Sequence, residues 1–181
     1  MAIRQMTIRR TRVQGLALME LILVIAVMMA ATAAVVATYH VVENNRKIQA
    51  QSEMTEVIAG NLASFALSSG LAYITQDTAI QVGIYPTQML DSNGHARNVW
   101  GGEAIITPTP GTTQSATLVL ANVPKRACIK LIQQTASGFH STAVGNVEVS
   151  SNYGKVNMAR LTDACNQQQG ASIVRLNYLH K

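Results

Sequence analysis

The chain opens with a polar, basic stretch and then turns apolar over a long run. Residues 1–15 contain four arginines and no acid. Residues 16–42 contain one charged side chain, that of Glu20, and residues 21–42 contain none. About twenty apolar residues suffice for a helix to cross a bilayer, and this run is longer than the apolar region of a secretory signal peptide. We therefore expect a helix over 16–42 that crosses a membrane, with the arginine-rich end in the cytoplasm.

A helical pattern continues beyond the apolar run, over residues 43–70. Apolar side chains recur there mostly every three or four residues, with one gap of six, at Ile48, Met54, Ile58, Leu62 and Phe65. No proline interrupts residues 16–70, and Gly70 suits a C-terminal cap. The pattern predicts one helix of about 54 residues, apolar on all sides in its first half and amphipathic in its second.

From residue 71 the sequence consists of short runs rich in Thr, Ser, Gly and Asn. This pattern predicts a globular head over 71–181. Short β-branched or alternating runs predict four strands, over 104–107, 116–121, 144–149 and 172–179. A helix is expected over 124–134, with Ala127, Cys128 and Leu131 facing inward, and a shorter helical turn over 162–168. The predicted class is α+β, with an antiparallel sheet packed on the second half of the long helix.

Composition narrows the possible functions. Charged residues make up 13% of the chain and hydrophobic ones 48%, which argues against intrinsic disorder. Most of the net charge of +5 comes from the N-terminus, because four of the fourteen cations lie in the first twelve residues. The rest of the chain contains ten cations and nine acids. The remaining protein has no basic field for a phosphate backbone, so nucleic acid is not expected as a primary partner.

Candidate chemistry is sparse. The four histidines, His40, His95, His140 and His180, lie outside metal-ligand spacing of one another and of the cysteines. Neither a phosphate-binding glycine loop nor a nucleophile elbow occurs in the sequence. We therefore expect no enzyme activity, metal or cofactor. A basic group on the predicted helix, Lys125, Arg126 and Lys130, is either a solvated face or an interface.

The N-terminal residues resemble a known signature. Residues 14–21 read Gln-Gly-Leu-Ala-Leu-Met-Glu-Leu, and together with the basic leader and the long apolar run they resemble the type IV prepilins. The resemblance implies that a prepilin peptidase cleaves between Gly15 and Leu16 and methylates the new N-terminus at Leu16. It also puts Glu20 at the fifth position of the mature chain.

Glu20 has two interpretations. An acid inside a membrane span is costly, so Glu20 could simply mark the edge of the span. The resemblance implies instead that Glu20 is an assembly residue, whose carboxylate pairs with the amine of Leu16 in a neighbouring subunit.

Two departures from the commonest prepilin pattern indicate a subclass. The first mature residue is Leu16 and not Phe, and the first proline is Pro86, far beyond the apolar helix. Both features resemble the type IVb subclass, which includes bundle-forming, toxin-coregulated and conjugative thin pili. The implied fold is that of the type IV pilins.

The two cysteines are Cys128 and Cys165, both on the predicted exported side. A single pair in an oxidising compartment predicts a disulfide. The resemblance agrees, because type IV pilins carry a C-terminal disulfide that encloses a surface loop. Residues 126–128, 162–165 and 98–103 also resemble their counterparts in the bundle-forming group.

The resemblance implies the major pilin of a Gram-negative cell. The precursor would lie in the inner membrane with its head in the periplasm, and the processed chain would polymerise into an extracellular filament for adhesion, aggregation or cell–cell contact. Implied partners are further copies of the chain in a helical homopolymer, the prepilin peptidase, the inner-membrane assembly platform with its ATPase, and the outer-membrane secretin. Alternatives are a minor pilin, a type II secretion pseudopilin, or a single-span, membrane-tethered binding domain that keeps its arginines.

Overall fold

A computed structural model describes residues 11–109, 112, 114–168 and 171–179. Within these ranges the side chains of residues 11–17, 34, 36–38, 40, 171 and 172 are outside the description. The chain divides into two compact units, Met1–Glu43 and Asn44–Lys181. We describe each unit by itself.

One helix, α1, spans Thr11–Ser69 and contributes to both units. The predicted long helix is confirmed, and within the described residues it also includes residues 11–15 of the predicted leader. The helix ends where expected, since Gly70 has a φ of 71° and its N–H donates to the carbonyl of Ala66 at 3.1 Å. Among the described residues, no helix combines the length and apolarity needed to cross a membrane.

The second unit adds three short helices and one antiparallel sheet. The helices are α2 (Gln76–Gln81), α3 (Lys125–Thr135) and α4 (Met158–Gln167). The strands are β1 (Ala104–Pro108), β2 (Ser115–Pro124), β3 (Ser141–Val144), β4 (Val147–Ser150) and β5 (Ala171–Leu179). The strand order is β1-β2-β5-β3-β4, and every neighbouring pair is antiparallel. This arrangement confirms the predicted α+β class.

The core joins the sheet to the second half of α1. Alternate residues of β2 and β5, such as Leu118 and Leu176, are fully buried, as period-two side-chain alternation requires. Ile58 and Leu62 of α1 are also fully buried and belong to the same hydrophobic cluster. The predicted packing of the amphipathic half of the helix into the head is therefore confirmed.

One strand prediction is wrong. Residues 144–149 form parts of two strands, because the chain reverses at Gly145-Asn146 and pairs Val144 with Val147. Gly145 has a φ of 59°, which a glycine adopts without steric cost. The resulting β3–β4 hairpin forms one edge of the sheet.

The helix predictions in the head meet mixed outcomes. The helix expected over 124–134 is confirmed as α3, with Ala127, Cys128 and Leu131 buried. The turn expected over 162–168 is a longer helix that starts at Met158, because the Asn157 side chain caps it by accepting from the Arg160 N–H at 3.1 Å. The sequence patterns missed α2, a helix of six residues.

Candidate assembly site

The first unit carries an apolar surface that its own residues leave exposed. Fourteen large apolar side chains of α1 between residues 18 and 42 have exposed fractions from 43% to 72%. They are Leu18, Met19, Leu21, Ile22, Leu23, Val24, Ile25, Val27, Met28, Met29, Val35, Tyr39, Val41 and Val42. Contiguous apolar surface on this scale marks a protein or membrane interaction site.

Glu20 lies within this apolar surface and its side chain is exposed. Leu23 and Val24, three and four residues further along, are neighbours of Glu20 on the helix face, and both are exposed and apolar. Residues 18–42 contain no lysine or arginine, and their one histidine is His40.

The predicted processing site lies at the edge of the described region. Gly15 and Leu16 belong to α1, and the structure describes their backbone but not their side chains. Residues 1–10 of the predicted leader lie outside the described residues. Cleavage after Gly15 and methylation of Leu16 therefore stay predictions.

The disulfide holds the C-terminal part of the head. Cys128 on α3 and Cys165 on α4 form a bond with a Cα–Cα distance of 6.1 Å, and both residues are fully buried. The predicted pairing is present in the structure. The closed loop contains α4 and the β3–β4 hairpin, so one covalent bond restrains an entire edge of the sheet.

A buried polar contact that the sequence patterns missed attaches a loop to α1. Gln51 is fully buried, and its side-chain oxygen accepts from the backbone N–H of Val99 at 3.0 Å. Thr55, one turn further along, is also fully buried and donates to the carbonyl of Gln51 at 2.7 Å. Gln51 lies in the six-residue gap of the apolar stripe, between Ile48 and Met54, and that gap was the available signal.

Asn98 organises the same loop from within. It is 4% exposed, and its side-chain oxygen accepts from the N–H groups of Trp100 and Gly102 at 3.0 Å each. Its side-chain nitrogen donates to the carbonyl of Ala121 on β2. A Cβ at Gly102 would come within 1.9 Å of that same carbonyl oxygen, so the close approach of loop and strand requires glycine there.

The remaining candidate residues do not form a reactive cluster. The described residues contain no group of three or more His, Cys, Asp or Glu that could hold a metal. His140 packs edge-on against Tyr153 with a centroid distance of 5.5 Å, and His95 lies 3.8 Å from Asp91 on a turn. The side chain of His40 and all of His180 lie outside the description.

The basic group on α3 lies on an exposed face. Lys125, Arg126 and Lys130 are all exposed. Lys125 donates to the carbonyl of Asn166 at 3.1 Å, and Lys130 donates to the side-chain oxygen of Asn45 at 2.9 Å. These local contacts favour the solvated-face interpretation.

Comparison with known protein families identifies the family to which the chain belongs. The family model described as "PilS N terminal" matches residues 30–177, most of the chain. The chain belongs to the PilS N-terminal family. A search of curated proteins found no match. The matched region begins after the prepilin-like signature over 14–21, so it leaves the predicted processing site untested.

Two solved structures share the fold. The type IV b pilin from Salmonella typhi matches with a TM-score of 0.57 and 18% identity, over 72% of this chain and 99% of that one. The pilin TcpA from the Vibrio cholerae El Tor biotype matches with a TM-score of 0.52 and 11% identity, over 73% of this chain and 98% of that one. Both neighbours are type IV pilins, and the likeness confirms the predicted type IV pilin fold.

Proposed function

We propose that this protein is the major structural subunit of a type IVb pilus. The observation that carries the proposal is the exposed apolar surface of α1 between residues 18 and 42, on a helix whose second half is built into the head core. Full burial of an exposed side chain of this kind is worth on the order of 1.5–3 kcal/mol, and these side chains, which are about half exposed, each gain a part of that when they leave water. Bundling of these helices from many copies supplies that environment in a filament.

Before assembly, the same apolar surface would be covered by lipid. We propose that the precursor resides in the inner membrane, with the arginines of the leader in the cytoplasm and the head in the periplasm. A prepilin peptidase would remove residues 1–15 and methylate Leu16. The platform with its ATPase would lift the processed chain out of the membrane, and the secretin would pass the filament through the outer membrane.

Glu20 gives this assembly its register. Removal of the leader creates an amine at Leu16, and the carboxylate of Glu20 in a neighbouring subunit is the complementary charge. A charge pair within an apolar bundle is favourable only when both partners are in place, because an unpaired buried charge is costly. The pair therefore selects one axial stagger between subunits.

Mass spectrometry of sheared filaments tests the proposal. The expected product is a chain that starts at a methylated Leu16 and forms the bulk of the filament mass. Gly15→Ala is expected to reduce processing, because a side chain there would crowd the peptidase. A chain that still carries Met1, or one that starts beyond Ala30, would contradict processing after Gly15.

The abundance of the chain separates the alternatives. A minor pilin or a type II secretion pseudopilin would also start at Leu16 but would make up a small share of the surface filaments. A single-span, membrane-tethered binding domain would keep its arginines and would stay in the membrane fraction.

A further inference from the structure

A group of cations lies on the part of α1 that follows the apolar segment and on the helix that contacts it. The ammonium of Lys130 on α3 donates to the side-chain oxygen of Asn45 on α1 at 2.9 Å. Asn45 follows Val42, the last residue of the apolar segment, by three residues, and three helical residues rise about 4.5 Å. This contact therefore holds a cation of α3 beside the first turn of α1 after the apolar segment.

Arg46 adds a second cation at the same level of α1. Its side chain is exposed, and successive residues of a helix lie about 100° apart around the axis. Arg46 therefore lies on a different side of α1 from Asn45 and the ammonium of Lys130. The Cα–Cβ bonds of a helix lean toward its N-terminus, so the stem of Arg46 starts in the direction of the apolar segment.

Acids do not neutralise these two cations. Among the described residues, neither Arg46 nor Lys130 forms an ion pair. α3 contains no acid, and Arg126, four residues before Lys130, shares an exposed face of α3 with it. An ammonium has three N–H donors, so the contact of Lys130 with a neutral amide leaves its charge and two donors for a ligand.

The charges of the chain beyond the apolar segment are unevenly distributed. Residues 43–47 and α3 together contain five cations and one acid. The rest of the chain after residue 47 contains five cations and seven acids. Positive charge is thus concentrated on α3 and on the part of α1 that α3 contacts, whereas the remainder of the head has a net negative charge.

We propose that Arg46, Arg126 and Lys130, here called the basic surface, bind anionic phospholipid headgroups while the precursor lies in the membrane. The inference rests on the proposed function, which puts residues 16–42 in the bilayer. The polar layer on each side of the hydrocarbon core is about 5–8 Å deep. Arg46 lies four helical residues, about 6 Å, beyond Val42, which is the depth of the lipid headgroups. That layer is hydrated, so the basic surface remains solvated while it binds.

Such binding gives the head a defined position on the membrane. Each Lys or Arg near an anionic lipid surface adds to the attraction. Because Arg46 and Lys130 lie on different sides of α1, headgroups that bind both resist tilting of the head in either direction. Extraction of the apolar segment into a filament breaks these contacts, so the basic surface favours the membrane-held chain until assembly begins.

Lipid selectivity of the full chain, inserted into vesicles with its head outward, tests this role. Electron spin resonance with spin-labelled lipid in the outer leaflet measures how strongly phosphatidylglycerol associates with the protein relative to phosphatidylcholine. The arginines of the leader then face the inner leaflet and do not contribute. We expect the wild type to prefer phosphatidylglycerol, and we expect Arg46→Gln and Lys130→Gln each to lower this preference by up to about fivefold.

Two further variants separate the position of a charge from its presence. Lys130→Arg keeps the cation and should keep the preference. Arg175 is an exposed cation that likewise donates to an asparagine side chain, that of Asn146, at 3.2 Å. It precedes the fully buried Leu176 on β5, so it lies on the face of the sheet away from the core. Arg175→Gln removes the same charge as Lys130→Gln and should leave the preference unchanged.

Alkaline extraction of the vesicles measures insertion separately from lipid selectivity. A chain that is released by extraction would contradict both the membrane-held precursor and this inference. An inserted wild type without a preference for phosphatidylglycerol, or glutamine variants that retain the full preference, would overturn this inference alone. Equal losses in Lys130→Gln and Arg175→Gln would also overturn it, because net charge and not the basic surface would then set the preference.

Discussion

Gln51 is a polar residue in the place of a core residue on α1. It is fully buried, yet its side-chain oxygen is the acceptor for the Val99 N–H, so it attaches the loop that precedes β1 to the helix. Helical periodicity identifies apolar faces, so a glutamine at a core position interrupts the apolar stripe of α1 and gives no sign that it is buried. The contact depends on a loop 48 residues away, which periodicity cannot reveal.

Replacement of Gln51 by leucine should destabilise the head. The substitution nearly conserves volume but leaves the part-buried Val99 N–H without its acceptor, at a cost of about 1 kcal/mol. Urea unfolding of the full chain in micelles, followed by the fluorescence of Trp100 next to the contact, measures the change. Gln49→Leu, two residues away on an exposed position, should leave the unfolding midpoint nearly unchanged. Equal midpoints for both variants would contradict the role of Gln51.

The stability of the loop that precedes β1 should depend on pH through the carboxylate of Asp91. Its carboxylate accepts from the side chain of Arg97 at 2.7 Å and from the N–H groups of His95 and Asn93 at 2.9 Å each. The hydrogen bond from Arg97 is the largest cause that lowers the pKa of Asp91 to about 2, and the His95 N–H adds to it. Because the pKa is lowered by folding, the contribution to stability is complete above about pH 4 and is lost as the pH falls through about 2.

A carboxyl-carbon NMR titration should therefore find the Asp91 midpoint near pH 2. Arg97→Gln should move the midpoint upward, toward the usual value for an aspartate, because it removes the charged donor. A midpoint that stays in place in Arg97→Gln would assign the low pKa to the backbone donors instead.

At the scale of elements, the sequence predicts what depends on local pattern. The long helix, β1, the centre of β2, α3 and most of β5 follow from periodicity and from their bounding turn residues. The 144–149 strand was wrong because an apolar alternation across Gly145-Asn146 has the same appearance whether the chain continues or reverses. Helix α2 was missed because six residues are too few for a period of 3.6 to be visible.

The sequence predicted the apolar part of the candidate site but not the polar contacts of the head. The apolar run that contains Glu20 could be recognised from composition, and its surface exposure agrees with the expectation. Gln51 and Asn98 were not recognised, because each acts through a backbone partner distant in sequence. The sheet order, with the last strand in the centre, also depends on long-range pairing.

The disulfide should stabilise the head at the scale of α3 and α4. The bond closes a loop with a sequence separation of 37, and constraint of the unfolded chain predicts about 4 kcal/mol of stabilisation. The double variant Cys128→Ser with Cys165→Ser should show this loss in chemical unfolding and should be cleaved faster by proteases. The single variant Cys128→Ser should lose as much as the double variant, since the bond needs both partners. A double variant as stable as the wild type would contradict this role.

At the scale of the whole molecule, the basic residues of the N-terminus and the exposed apolar surface lie in separate, consecutive segments of the chain. Four arginines lie in residues 1–15, while residues 21–42 contain no Asp, Glu, Lys or Arg and their described large apolar side chains are exposed. Under the proposed processing, loss of the leader would remove the charge that holds the N-terminus in the cytoplasm and would leave an amine at the start of the apolar segment. The proposed processing would therefore convert a membrane anchor into a segment whose acid and new amine could pair between copies.

Substitution of Glu20 should separate insertion from assembly. Glu20→Val makes the apolar segment still more apolar, so the chain should remain membrane-inserted and should be cleaved after Gly15. Filaments should nevertheless be sharply reduced, because the amine of Leu16 would lack its partner within the bundle. Cell fractionation measures insertion, and electron microscopy of a strain without a wild-type copy counts filaments.

Two further variants identify the cause of the filament loss. Glu20→Gln keeps the size and polarity of the side chain but removes its charge, so it should also reduce filaments if pairing is the mechanism. Glu53→Gln removes an exposed acid from the amphipathic half of the same helix and should leave filaments unchanged. If Glu20 merely marks the edge of the apolar segment, Glu20→Gln assembles normally. Normal filament numbers in Glu20→Val would exclude a role for the charge pair, because an apolar side chain cannot replace a carboxylate as the partner of an amine.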